Sequence, residues 1–281
     1  LNEIQYKLAM GQMLVEGGNP AGNLQRATAM IRQAAKEGCA TIVLPECLNL
    51  GWTHPSAREL ADTIPGRDSD ILAQAAREAQ IYVVAGLVER DGEKLYNAAV
   101  LISPDGTIQL KHRKINELDI AHDLYSLGEN LSVVQTPLGT IGVDICADNL
   151  PDSLEIGNTL AAMGAEIILS PSAWAVEADH DNQKEPYGGL WLESYTNLAI
   201  HNNITVVGVS DVGWIGAGPW QGRKSIGCSL AVGPDGEIIT QGPYGEKAES
   251  LIVIPISINS AHEPAENLVG QTITQHFQKG A

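Results

Sequence analysis

GVDICADNLPDSLEIGNTLAAMGAEIILSPSAW, residues 142–174, decides how the rest of this chain is read. Residues 140–145 are apolar enough for a buried strand. Residues 154–163 then place apolar side chains at helical spacing and stop at Gly164, and residues 166–170 return to an apolar strand. A strand, one helix and a second strand in close succession form a crossover unit, which makes the two strands parallel neighbours. The first strand ends on Cys146, and Ala-Asp-Asn, the vocabulary of a turn, follows at once. Such a thiol is either a packing residue or a nucleophile displayed at a carboxyl strand end, where open α/β sheets collect ligands.

The same alternation extends in both directions. Upstream, a strand at 6–14, a helix at 21–37 ended by Gly38, and a strand at 40–44 make another βαβ start. A helix at 69–79 leads into IYVVAGLVE, residues 81–89, which reads as a parallel strand buried on both faces. Two strands around Pro104-Asp105-Gly106 form a hairpin, and 132–136 pairs with 140–145 around Gly139. Downstream come a helix at 190–202 and a strand at 205–210. A second Pro-Asp-Gly hairpin follows within 225–242, and a last strand spans 250–256. Two halves, each βαβ followed by a hairpin, predict an α/β fold of two sheets packed face to face with helices outside. No linker divides the chain, so residues 1–281 are expected to form one domain.

Composition narrows the function classes. Of 281 residues, 44% are hydrophobic and 18% charged, which suits a large buried core. With 34 acids against 17 bases the formal charge is −17, which repels nucleic acid and anionic membrane surfaces. Cys39, Cys47, Cys146 and Cys228 are too scattered for a disulfide framework or a metal-ligand pattern. No apolar run is long enough to span a membrane, and LNEIQYKLAM lacks a signal pattern. The expected location is cytoplasmic.

Three reactive residues share one context, the carboxyl end of an apolar strand: Glu46 after TIVLP, Lys114 after TIQLKHR and Cys146 after IGVDI. Together they divide the labour of nucleophilic catalysis. The carboxylate takes the thiol proton, the thiolate attacks an electrophilic carbon, and the ammonium stabilises charge on the carbonyl oxygen. The cation is also expected to lower the thiol pKa. Taken singly, Glu46 and Lys114 read as solvated strand ends and Cys146 as a small buried hydrophobe.

In their order and separation, LPEC (44–47), HRKI (112–115) and the 142–174 block resemble the three signature blocks of the nitrilase superfamily, the carbon–nitrogen hydrolases. The likeness covers nearly the whole chain. It implies a four-layer αββα sandwich of two mixed sheets, assembled as a homodimer or larger through helical faces. It also implies a Glu46–Lys114–Cys146 triad, with Cys146 carrying a thioester or thioimidate that water hydrolyses. The substrate it implies is a small amide, carbamoyl compound or nitrile, and no metal or organic cofactor. A catalytically silent member serving as an assembly surface is the alternative from another class.

Members of this superfamily often carry a second glutamate after the lysine. Here ELDIAHDLYSLGEN, residues 117–130, offers His122 or Asp123 when aligned on Gly128, and Glu117 close behind Lys114. A loop this long is more often functional than idle. The run after the nucleophile, Ala147-Asp148-Asn149, lacks the arginine many amidase-like members carry, which removes an anchor for a substrate carboxylate. Asp148 and Asn149 are candidate substrate contacts or turn caps. Trp174 and Glu177, in the loop 173–191, are candidate pocket residues, with a solvated loop as the alternative for Glu177. The Gly-rich 212–225 reads as a lid or interface loop, not a phosphate loop.

Overall fold

The structure, a computed structural model, describes residues 2–260 and 272–276. The first half runs β1 (Asn2–Gln12), α1 (Pro20–Lys36), β2 (Thr41–Val43), α2 (Ala57–Leu60), α3 (Arg67–Ala79), β3 (Tyr82–Asp91), β4 (Lys94–Ile102) and β5 (Ile108–Arg113). The second runs β6 (Asn130–Thr136), β7 (Gly139–Val143), α4 (Leu154–Ala162), β8 (Ile167–Ser172), β9 (Ala175–Val176), α5 (Gly189–Asn202), β10 (Thr205–Ser210), β11 (Val212–Trp214), β12 (Lys224–Ile226), β13 (Leu230–Val232) and β14 (Ile238–Gln241). It closes with β15 (Ser250–Ser260) and β16 (Thr272–His276). One sheet has the order β15-β1-β2-β3-β4-β5, the other β14-β13-β10-β8-β7-β6-β16, and a small third sheet is β11-β12-β9. Both large sheets are mixed, parallel in the middle and antiparallel outward.

Strand periodicity explains the layers. Leu8, Met10, Val43, Val84 and Ile256 of one sheet point into a core shared with Val133, Ile168 and Val207 of the opposite sheet. Their neighbours Ala9, Ile42, Leu44, Val83 and Ala85 point the other way, onto Leu24, Ala27 and Ile31 of α1 and Leu72 and Ala76 of α3. Side chains alternate across a strand, so apolar residues in succession mean that both faces are covered. Ile156, Leu160 and Leu198 of α4 and α5 cover the second sheet. The expected αββα order of layers is the one observed. Among the described residues no helix is long and apolar enough to cross a membrane.

The differences from the sequence reading have local causes. β1 begins near the chain start and β15 runs to Ser260, because the two pair over their whole length and backbone pairing, not hydrophobicity, sets their ends. β8 continues through Pro171 to Ser172, past the expected end at residue 170, because both residues pair with β10. β3 is parallel to β2 on one side only; its other neighbour, β4, is antiparallel. The strands of the third sheet, two or three residues each, are too short to leave a periodic signal.

Gly86 on β3 fixes where the β2 strand end lies. Its N–H donates to Pro45 O (3.0 Å) and its O accepts from Leu48 N (2.9 Å), so the turn carrying Glu46 rests directly on the β3 backbone. A Cβ at Gly86 would lie 2.5 Å from Glu46 Cα and 2.7 Å from Pro45 O. Gly86→Ala is therefore expected to cost about 1–3 kcal/mol in urea unfolding, the usual range for overpacking, and to displace Glu46. A variant as stable as the parent would contradict this close approach.

Candidate active site

Each of the three reactive residues leaves its strand where the two sheets meet. The Glu46 N–H donates to Ser172 O at the end of β8 (3.2 Å), tying one sheet to the other at this residue. Lys114 follows β5, its N–H bonded to Asn97 O on β4 (2.8 Å). Cys146 sits at the start of a 3₁₀ turn, Cys146–Asn149, with φ 58°, and its N–H donates to Ser170 Oγ (3.1 Å). A left-handed backbone costs a non-glycine residue roughly 1–2 kcal/mol, so the surrounding bonds must hold it.

These bonds converge on Asp148. Its Oδ2 accepts from Ile145 N (3.0 Å) and bonds His112 Nε2 (2.8 Å), while its Oδ1 accepts from Ile115 N (3.1 Å) and Asn116 N (2.8 Å). One carboxylate thus locks the Cys146 turn to the segment bearing Lys114. Asn149 Nδ2 donates to Asp144 Oδ1 (2.7 Å) and to Ser170 Oγ (3.1 Å), steadying the oxygen that accepts from Cys146. Asp148 and Asn149 are fully buried and do not line the pocket. As substrate contacts they are corrected: both are framework residues, because they are buried away from the pocket and bond, through both oxygens of Asp148 and the Nδ2 of Asn149, inside the fold.

Glu46, Lys114 and Cys146 are 1%, 2% and 7% exposed. Lys114 Nζ lies 2.7 Å from Glu46 Oε1 and 3.2 Å from Glu117 Oε2. Asn97 Nδ2 donates to Glu46 Oε1 (2.6 Å) and Glu117 Oε1 (2.9 Å), and Trp52 Nε1 also donates to Glu117 Oε1 (3.1 Å). The thiol faces the Glu46 carboxylate and the Ala173 backbone N–H. Of the three candidates for a fourth residue, the structure brings Glu117 to the lysine. His122 and Asp123 are exposed, and His122 turns its ring to Glu117 O and Asp119, so neither reaches Lys114. Alignment on Gly128 misplaced them because the loop after Lys114 turns back at once.

Burial governs the ionisation of the cluster. It raises Glu46 above its ordinary range, and repulsion from Glu117 adds to this against the pull of Lys114. Burial alone would lower Lys114, but Glu117 and Glu46 outweigh it and hold the ammonium well above its usual value. The Cys146 thiol is also pushed up, by burial and then by the Glu46 charge, with Lys114 only partly opposing. That corrects the expectation of a thiol lowered by its cation. The shifts of Cys146 and Lys114 both favour the protonated forms, so a thiol rests beside a lysine ammonium.

The cluster forms the floor of a pocket of about 450 Å³. Trp174 stacks on Trp191 on one side, with centroids 4.9 Å apart, and Trp52 meets Trp220 on another at 4.7 Å. Tyr187, Leu118 and Leu150 complete apolar walls. Trp174 therefore lies where the sequence placed it. Glu177 does not: it is 63% exposed and pairs with Arg223, whose guanidinium covers Trp220 at 4.5 Å. The Gly-rich loop contributes Trp220 as a wall. Sequence reasoning missed Asn97, Trp52 and Trp220; an asparagine amid the apolar residues of β4 was the one visible signal.

Comparison with known proteins gives a concordant result. The carbon–nitrogen hydrolase family model matches residues 7–264. The chain is 30% identical over 247 residues to omega-amidase NIT2 of Danio rerio, covering 84% of each, and 31% identical over 256 residues to a nitrilase of Pyrococcus abyssi, covering 89% and 90%. Its alignment to omega-amidase NIT2-A of Xenopus laevis, 35% identical, spans 60% of this chain and 64% of that one. Among solved structures, Saccharomyces cerevisiae Nit3, a member of branch 10 of the nitrilase superfamily, matches with a TM-score of 0.75 at 26% identity, over 91% and 90% of the chains. A carbon–nitrogen hydrolase from Helicobacter pylori G27 shares the fold at a TM-score of 0.79 and 21% identity, over 89% and 88%.

Two substitutions probe the framework. Asp148→Ala strands buried donors, one of them His112, and is expected to lose about 3–5 kcal/mol in urea unfolding. A loss below about 1 kcal/mol, within the range of a single ordinary hydrogen bond, would contradict the bracing role. Asp144 is pushed up to about 7, by burial first and then by the Asp148 charge. Its folded pKa exceeds that of the unfolded chain, so the stability it contributes is present below the ordinary carboxyl range and is lost as pH rises through 7. Asp144→Asn carries no such dependence, so its Tm relative to the parent should rise between pH 4 and pH 8.

Proposed function

This chain belongs to the carbon–nitrogen hydrolase family, and from that premise we propose that residues 1–281 act as one catalytic domain. It opens the C–N bond of a small, uncharged amide through a thioester on Cys146. The observation that carries this reading is the meeting of Glu46, Lys114 and Cys146 on the floor of one apolar pocket.

Two donors hold Glu46 Oε1, which leaves Oε2 toward the thiol. Glu46 takes the thiol proton as sulfur attacks the carbonyl carbon. The Lys114 ammonium and the Ala147 N–H, at the start of the short helix where amides lack intrahelical acceptors, receive the oxyanion. Glu46 returns the proton to the departing nitrogen, which leaves as ammonia or an amine. Water, deprotonated by Glu46, then attacks the thioester, and acid departs as the thiol reforms. Glu117 acts through the others, holding Lys114 and Asn97 in place.

Tryptophan walls favour an apolar acyl group. Among the described residues lining the pocket, Lys114 is the one cation, and Glu46 and Glu117 already engage it. A substrate carboxylate has no partner there, which separates this pocket from one built for charged ω-amides or carbamoyl amino acids. We place the protein in the cytoplasm, assembled through helical faces such as that of α5, where Leu190 and Ile200 are exposed.

Formation of acid product from neutral aliphatic and aromatic amides, charged ω-amides, carbamoyl compounds and nitriles is the test. Neutral amides should turn over best, and Cys146→Ala should lose at least about a thousandfold in kcat. Full turnover by that variant, or preference for a charged substrate, would overturn the corresponding part of the reading. The pH profile adds a second check. kcat/KM should rise as Glu46 loses its proton, above the ordinary glutamate range. Glu117→Gln removes the repulsion on Glu46 and should move that limb to lower pH; an unmoved limb would exclude Glu46 as the titrating base.

A further inference from the structure

Behind the aromatic pocket lies a second, narrower cleft that the mechanism above does not use. Trp52 and Ala173 are walls of both spaces, and Ala173 is the residue whose N–H faces the Cys146 thiol. Gly17, Gly51 and Gly216 bring backbone close to the cleft, and Val15, His54, Trp214 and Ile215 are among its other walls. It is so narrow that it takes a guest about the size of one water molecule.

Asp211, at the end of β10, lines this cleft. It is 6% exposed, and its Oδ1 has no hydrogen-bond partner in the fold. An unpaired buried carboxyl oxygen costs enough to call for a ligand. A carboxyl group lining so small a space, with the indoles of Trp52 and Trp214 among its walls, suits a compact cation. Amide cleavage beside Ala173 makes one. We propose that the Asp211 cleft is the exit subsite for the released nitrogen, binding it as ammonium. This rests on the amidase reading above.

The protons balance. In acylation the C–S bond forms and the C–N bond breaks, and the thiol proton travels through Glu46 to the nitrogen, which leaves as neutral ammonia. Burial first, with the Glu46 charge adding, pushes Asp211 up to about 8, against a hydrogen bond from Ser225, so the group is mostly protonated at neutral pH. Ammonia, the stronger base, takes that proton and becomes the ammonium of an ion pair. Asp211 regains a proton from solvent when the ammonium departs. His54, the other titratable group of the cleft, is held low by burial and stays neutral, so it does not compete as a cation.

The test is acid-product formation from the best neutral amide in ammonium, methylammonium, tetramethylammonium or sodium chloride at constant ionic strength, for the wild type and Asp211→Asn. Ammonium should inhibit most, methylammonium less, and tetramethylammonium no more than sodium. In Asp211→Asn the ammonium inhibition constant should rise about tenfold or more, the effect of losing a charge-assisted bond. Ammonium acting no differently from sodium, or inhibiting the variant equally, overturns the subsite while leaving amide hydrolysis intact. Loss of all turnover in the wild type would instead refute the amidase reading. The subsite is then judged by thermal unfolding alone, where ammonium should raise the Tm of the wild type above its value in sodium; equal values overturn it. If Asp211→Asn does not fold, the size series in the wild type decides.

Discussion

A lysine ammonium buried between two carboxylates is the constraint on which the rest of this structure depends. Lys114 could not remain charged at 2% exposure on its own, because removing an ammonium from water costs several kcal/mol even after relaxation. Glu46 and Glu117 offset that cost, Asn97 bonds both of them, and Trp52 bonds Glu117. These residues come from separate parts of the chain, so the charge cluster requires β4, the stretch after β2 that carries Glu46 and Trp52, and the stretch after β5 that carries Lys114 and Glu117 to meet at one point. Burial first, and the Glu46 charge after it, favour the protonated Cys146 thiol, with Lys114 only partly opposing them.

The sandwich supplies that meeting point by simple means. Gly86 lets the turn bearing Glu46 lie on β3, and the Glu46 N–H reaches across to Ser172 of the opposite sheet. Asp148 does the equivalent work for the other two residues, joining the turn of Cys146 to the backbone after Lys114 with a single carboxylate. The strain of a left-handed cysteine is thereby held by neighbours that take no part in the chemistry. Positioning and the proposed reactivity are separated: Asp148 and Asp144 brace the turn of Cys146, while Glu46, the proposed base, faces its thiol.

Much of this was legible in the sequence because it lives in periodicity and order. The βαβ pattern and the repeated Pro-Asp-Gly hairpins gave the layers, and three strand ends gave Glu46, Lys114 and Cys146. What stayed hidden depends on contacts between distant segments. Glu117 was one of three candidates, since nothing in ELDIAHDLYSLGEN says that the chain turns back toward Lys114 while His122 and Asp123 face water. Asp148 and Asn149 were ambiguous because the same residue types suit a substrate contact and a turn brace. Trp52 and Trp220 converge from loops 168 positions apart, a distance no local pattern spans. The direction of the thiol pKa was misjudged because a neighbouring cation is visible in sequence order whereas burial is not.

The central claim is that Cys146 carries the acyl group. Glu46→Gln keeps the shape of the site, lifts the negative charge that raises the Cys146 thiol and removes the base proposed to activate water, so the thiol can react unaided with an activated acyl donor and the adduct should persist. Incubating that variant with a short-chain acyl ester, then measuring intact mass and mapping peptides, tests the claim directly. One acyl group per chain, located on Cys146, is the predicted result. An unmodified chain, or acylation of Cys47 or Cys228 in its place, would contradict it.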